Sequence, residues 1–454
     1  MKPRIIHVSH GRKSIDNAYC GSIDQPCFHL IYAINEISQD NDVIVLGACY
    51  EYHQNVTFSV PRSLELSSYR GAGDNCREEK ALISFNYQME IDYFELFSVS
   101  RNLTLCNVSI GMNFPKLTTT LFMFTTQTNV DKKLKVVDCE FKQLRQSAFT
   151  CLIAYEDAFL NAEVLNTKFE GLPTKRRTRK FTSPLPLTTR KTSNDLKLGL
   201  TGRARQSDGV FNMTVENCTF FFEMCFVPGG KSRNEIQFIN NHIIGSPVTV
   251  GDFQNVNMVN NQFLDDSIAF LNYPKRNNDD GQIDNHYISH NSFNNSYIRF
   301  DVYEPVNVLL KVLNILITET HFIRSYVKVI GWQRAIFKLE IANTVFEQTH
   351  KTDPFSIPQL AATTGVDAEY LDRDVKREIV IRDSVFKDAS AGAIDTKDYQ
   401  IVIINSNFLN NYLTHDELGY AASAAISIYS YMTIIYNCTI LNNTSTYPVA
   451  PSAM

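Results

Sequence analysis

The chain has 454 residues, 44% of them hydrophobic and 20% charged, with a net charge of −5. That composition excludes a disordered chain, and the negative balance argues against nucleic acid as partner. Ile, Val and Phe dominate the apolar part and there is one Trp, which favours strands over helices. Apolar runs such as Ile401-Val402-Ile403-Ile404 are strand-sized, so no membrane span is expected.

The first residues, Met1-Lys2-Pro3-Arg4-Ile5-Ile6, lack the apolar core of a signal peptide, and the reading expects a fragment of a longer gene. Four of the ten cysteines come early, Cys20, Cys27, Cys49 and Cys76, and are disulfide candidates in an oxidising compartment. No paired ligand spacing completes a zinc site, and neither metal nor cofactor is expected. Within 20–40, Leu30, Ile31, Ile34 and Ile37 form a helical stripe, the candidate cap of a solenoid.

A six-residue kernel then recurs: an apolar residue, any residue, Asn or Asp, a small or polar residue, any residue, and Phe or Ile. Leu105-Cys106-Asn107-Val108-Ser109-Ile110 is the first of twelve copies and Ile435-Tyr436-Asn437-Cys438-Thr439-Ile440 the last. Ten copies carry Asn or Asp at the third position: Asn107, Asp138, Asn166, Asn217, Asn240, Asn260, Asn343, Asp383, Asn405 and Asn437. His290 and Glu319 take that place in the other two. Successive final residues lie 20 to 51 apart, so one constant turn alternates with loops of variable length. Asn tolerates the left-handed backbone region and suits a sharp bend. Stacked about 4.8 Å apart, such residues can bond to one another as a buried ladder. The fold expected is all-β, a right-handed parallel β-helix spanning 1–454. A leucine-rich repeat would need several regularly spaced leucines, which are missing. Cys106, Cys139, Cys218 and Cys438 fall in kernels and read as packing thiols.

Two intervals interrupt the repeat. The first, 172–208, holds ten Lys or Arg between Lys175 and Arg205 and reads as a solvated, disordered insertion. The second, 347–378, reads as a flanking loop or short helix.

The runs Ile6-His7-Val8-Ser9, Cys20-Gly21-Ser22, Pro26-Cys27 and Ala33-Ile34 resemble the opening of secreted pectin-lyase-like β-helix proteins. Ala391-Gly392-Ala393-Ile394, Ala424-Ala425-Ile426 and Phe408-Leu409-Asn410-Asn411 are similar to the repeats of polymorphic outer membrane protein-like sequences, in degenerate form. The resemblance implies the fold over nearly the whole chain. It leaves function open, because the superfamily mixes enzymes with adhesins and structural modules.

Hydrolysis of a glycan needs two carboxylates, and elimination needs acids with a basic residue. Candidates are Asp265, Asp266 and Asp284, with Asp279 and Asp280 in a turn-like stretch. A turn role explains them more simply. Nine sequons occur; Asn55, Asn294, Asn442 and Asn443 are the glycosylation candidates, whereas Asn107, Asn217 and Asn437 are expected to be buried. The sequence reading therefore favours a non-catalytic extracellular or cell-surface protein whose partner is a carbohydrate or another surface protein. The alternative is a polysaccharide lyase or glycoside hydrolase working in a groove of the β-helix.

Overall fold

Strands two to seven residues long, with residues of left-handed backbone at recurring corners, wind the chain into stacked coils. The computed structural model describes residues 3–445 except 12, 49, 55–56, 70–79, 87–92, 114–117, 125–130, 144–148, 156–159, 172–210, 222–223, 227–233, 246–247, 252, 266–267, 274–282, 303–311, 332–335, 348–359, 365–376, 390–391, 398, 414–424 and 430–431. Cys49, Cys76, Asn55, Asp266, Asp279, Asp280 and the basic stretch 172–208 thus lie outside the described residues. Two compact units, Met1–Ile236 and Gln237–Met454, are each built as a right-handed parallel β-helix.

A coil of the first unit runs through Lys132–Val137 in a first sheet, Glu140–Gln143 in a second and Phe149–Tyr155 in a third, then returns to the first sheet at Leu160–Leu165. A coil of the second unit repeats this with Ile283–Ser289, Ser292–Asn294 and Tyr297–Val302 before Val312–Thr318. Neighbouring coils pair in parallel, like position on like, as in Leu134↔Ala162 and Ile288↔Ile317. The kernel's final aromatic forms one column within each core. Phe141, Phe169 and Phe220 stack at 5.0 and 4.8 Å in the first unit. Phe263, Phe293, Phe322, Phe346, Phe386 and Phe408 stack at 4.4 to 5.2 Å in the second. All are fully buried, and each contact adds about 0.5–1.5 kcal/mol beyond area burial.

All ten ladder residues, together with His290 and Glu319, have positive φ between 48° and 56°. Their side chains bond from coil to coil: Asn166 and Asn217 donate to Asp138 and Asn166 at 3.2 Å, Asn260 to Asn240 at 2.7 Å, and Asn437 to Asn405 at 2.9 Å. This ladder is not buried, however. Asn217 and Asn437 are exposed, and Asn107 is half-exposed. A left-handed residue at a convex corner throws its side chain outward, and the next residue turns in. The buried ladder is therefore one position later. In the second unit Asn241 donates Nδ2 to Asn261 Oδ1 at 3.0 Å, and Asn261 donates to Asn291 Oδ1 at 3.0 Å. Asn261 Nδ2 also reaches Phe238 O at 2.8 Å. In the first unit the same place holds Cys139, Thr167 and Cys218, each donating to the carbonyl two residues before it. Burial pushes the Cys139 and Cys218 thiols up to about 12, so they are packing groups rather than nucleophiles.

A second left-handed bend, which the sequence reading missed, stands five residues after the first in the second unit. It holds Gly245, Asp265, Asn295, Arg324, Asp388, Asn410 and Asn442, with φ between 48° and 59°. Behind it Asn411 and Asn443 form another inner ladder: Asn411 Nδ2 meets Asn443 Oδ1 at 2.9 Å, and Asn443 Nδ2 meets Phe408 O at 2.9 Å. Asn443, a glycosylation candidate from sequence, is half-exposed and uses its amide in this ladder. Asn294 is half-exposed and accepts a bond from Arg324 at 3.3 Å, while Asn442 is exposed. The interval 347–378 is also more than a flank, because Leu360–Thr364 is a rung of the third sheet.

The first unit opens with a strand the sequence reading overlooked, Ile5–Val8, paired with Asp42–Gly47. Cys20 and Cys27 form a disulfide beside it. The cap helix is present as Leu30–Tyr32 continued by the wider turn Ala33–Ile37. Leu30, Ala33 and Ile34 are its buried face, and Ile31, expected inward, is exposed. His10 packs against Phe28 and Tyr52 with centroids at 4.7 and 4.8 Å. Burial lowers its pKa first, and the neighbouring His29 and His53 lower it further, against smaller opposing effects of the Phe28 backbone and Asp16.

Asn261→Ala should strip partners from buried groups on both neighbouring coils, where each orphaned group costs about 1–3 kcal/mol. Asn260→Gly keeps the left-handed bend and loses one surface bond, so its cost should stay within about 0.5 kcal/mol. Urea unfolding of the two variants checks the ordering.

The His10 effect has a fixed sign. A histidine whose folded pKa is depressed leaves stability intact above its unfolded pKa of about 6.5, and stability is lost as pH falls through the folded value. Hydrogen-exchange protection factors at Ile6 and Val8, corrected for the intrinsic rate at each pH, should fall below about pH 6.5, and His10→Gln should flatten that response.

Candidate functional site

The site grows from five third-sheet strands of the second unit: Tyr297–Val302, Tyr326–Gly331, Leu360–Thr364, Ile394–Lys397 and Ile426–Tyr429. Ile298, Phe300, Val327, Val329, Leu360 and Ile394 are buried and point to the core. Strand alternation turns Tyr297, Arg299, Tyr326, Lys328 and Asp395 to the outer face. The register then fixes one column: Arg299 opposite Lys328, Lys328 opposite Ala361, Ala361 opposite Asp395 and Asp395 opposite Ser427. At about 4.8 Å per coil, Lys328 and Asp395 are about 10 Å apart along the stack. Beside the cations, Tyr297 and Tyr326 stack with centroids at 4.8 Å and planes 4° apart.

The electrostatics of this column differ from the rest of the protein. Elsewhere charged residues in register are of opposite sign: Lys135 with Glu163, Glu140 with Lys168, Lys142 with Glu170, Lys338 with Glu378, and Glu347 with Lys387. Among the described register pairs, Arg299 and Lys328 alone bring like charges together. Like charges directly opposite on a sheet destabilise it. Arg299 is also buried, at 8% exposure, although it lies on the outer face. Burial pushes the Tyr326 phenol up to about 12, and the Arg299 charge acts against that rise. The half-buried Asp395 carboxyl is raised by burial, partly offset by its hydrogen bond with Ser427. Two cations, an aromatic pair and a carboxyl whose pKa burial raises share one face. They can hold a carboxylate, support a ring and donate a proton.

Of the acids picked from sequence, the two described ones, Asp265 and Asp284, are not brought together. Asp265 is a left-handed bend residue, exposed, between the second and third sheets. Asp284 lies in the first-sheet strand, fully buried and facing the core. Among the described residues no three His, Cys, Asp or Glu side chains converge as a metal-binding group. Arg299, Lys328 and Asp395 were missed because they sit far apart in sequence. A signal exists: counted from the bends at His290 and Glu319, two coils read Tyr297-Ile298-Arg299 and Tyr326-Val327-Lys328 at the same places.

No family model and no curated protein matches this sequence. Among solved structures, a GH136 lacto-N-biosidase from Eubacterium ramulus is 11% identical, with 96% of this chain and 68% of that one covered and a TM-score of 0.36. The mannuronan C-5 epimerase AlgE6 A-module of Azotobacter vinelandii is 9% identical, covering 89% and 91%, with a TM-score of 0.35. Tailspike protein 3 of bacteriophage CBA120 is 11% identical, covering 91% and 60%, with a TM-score of 0.32. At this level no activity passes to this chain.

Ser427→Ala removes the bond that lowers the Asp395 pKa, so that pKa should move further up. Carbon-13 titration of the Asp395 carboxyl in both proteins checks the direction. An unchanged or lower value would show that Ser427 does not hold this carboxylate.

Proposed function

We propose that this chain is an extracellular β-helix that binds an acidic polysaccharide across the third sheet of its second unit and cleaves it there. The like-charged pair Arg299 and Lys328 carries the reading. A polymer carboxylate set between them would gain charge-assisted bonds from both side chains. The Tyr297–Tyr326 stack offers a face for the apolar side of a sugar ring. Asp395, protonated above the ordinary carboxylate range, gives its proton to the glycosidic oxygen as the C–O bond breaks. That step is common to hydrolysis, where water supplies the other half, and to elimination, where the sugar's own C–H proton leaves to a base.

Placement outside the cell rests on the Cys20–Cys27 disulfide and on Asn442, an exposed sequon. Non-catalytic adhesion through the same face is the second reading. It is favoured by the gap of about 10 Å between Lys328 and Asp395, wide for groups serving one bond.

Incubation with polygalacturonate and with alginate decides between them. Binding should weaken about tenfold to a hundredfold in Arg299→Ala, the worth of one or two charge-assisted bonds. New reducing ends with a C=C absorbance mean elimination, and reducing ends alone mean hydrolysis. Either must disappear in Asp395→Asn. Binding without new ends supports the adhesion reading, and no binding by either polymer defeats both.

A further inference from the structure

A second face of the same unit has a different chemistry. On the first sheet, strands Asn255–Val259, Ile283–Ser289 and Val312–Thr318 lie side by side. Two of their outward columns are Asn255–Asn285–Asn314 and Asn257–Tyr287–Leu316. The one charged residue in the three strands, Asp284, is buried on the core side. The outer face is therefore uncharged, with four amides around Tyr287, which is 40% exposed.

Strand formation does not account for this composition. Asn is depleted in strands, and Thr, Val or Lys would serve an exposed sheet better. Nor does the bend ladder account for it, since these residues lie within strands and none has a left-handed backbone. One cross-coil bond, Asn314 Nδ2 to Asn285 Oδ1 at 3.2 Å, ties two of the amides together and fixes their orientation. An amide presents a donor and an acceptor side by side, which matches a pair of adjacent hydroxyls. An exposed tyrosine beside it offers a ring face and a polar tip.

We infer that this face binds a neutral polysaccharide laid along the stacking direction, with Asn255, Asn285 and Asn314 bonding hydroxyls of successive sugars and Tyr287 stacking on one ring. The periodicity supports a polymer: coils repeat about every 4.8 Å, so a chain of hydroxylated rings meets one amide per coil. The absence of outward charge selects against an acidic polymer, which belongs to the third-sheet column. The inference does not depend on the third-sheet reading, and the two fail separately.

Affinity electrophoresis of the full chain through gels containing hydroxyethylcellulose, galactomannan or polygalacturonate tests it. At least one neutral polymer should retard the protein. Tyr287→Ala and Asn285→Ala should each reduce that retardation about tenfold, while Arg299→Ala leaves it unchanged. Polygalacturonate retardation should show the reverse pattern. Circular dichroism melts verify that the variants fold, and Tyr287→Phe, which keeps the ring, should retain neutral binding. The inference is overturned if neither neutral polymer retards the wild type, or if folded Tyr287→Ala and Asn285→Ala bind as well as it does.

Discussion

The left-handed bend between the first and second sheets is the constraint on which the rest of this protein depends. From Asn107 to Asn437 it recurs at the same place in each coil, because one residue of slip would turn core side chains outward. Placing Asn there costs little, since its short polar side chain tolerates φ near 50°. The outer amide then gains a bond to the next coil. The more valuable consequence is at the following residue. Asn241, Asn261 and Asn291 enter the core and bond to one another, and Asn261 and Asn291 also satisfy the buried carbonyls of Phe238 and Met258.

The bend was legible in sequence because it joins a rare backbone requirement to a strong residue preference. The inner ladder was not read correctly, since Asn, Thr, Ser and Cys all fit that place and no single residue type runs through it. The second bend was harder still. It holds Gly245, Asp265, Asn295 and Arg324 in successive coils, four residue types sharing one backbone state. Arg324 has no local preference for it, so the stacked neighbours must impose it. The same reasoning explains Asp265. It read as a candidate acid and is a bend residue, chosen for its backbone.

The candidate site was illegible for a different reason. Chemistry in a solenoid is assembled across coils, so its members are separated by whole turns of variable length. Arg299, Lys328 and Asp395 belong to one column only because Leu360–Thr364 supplies the rung between the second and third of them. That strand sits in an interval that read as a flanking insertion. Without it Lys328 and Asp395 have no sequence relation. Aligning coils on the bends recovers the Tyr-x-Arg and Tyr-x-Lys pair. It does not recover Asp395, which stands twelve residues after its bend rather than nine.

Like-on-like stacking also makes the charge pattern informative. A solenoid that places the same position above itself will repel wherever a charge is repeated, so neighbouring coils elsewhere alternate Lys with Glu. A repeated cation must be maintained against that cost of about 0.2–1 kcal/mol. A repeated amide faces no such penalty, which lets the first sheet carry Asn255, Asn285 and Asn314 in line. The two faces thus differ in what they can recognise for one physical reason. The stacked Arg299 and Lys328 carry a modest mutual repulsion, which is why this column is the one proposed to take an acidic polymer. A column of amides is stable alone, and so can bind weakly at each coil and gain strength from the number of coils a polymer spans.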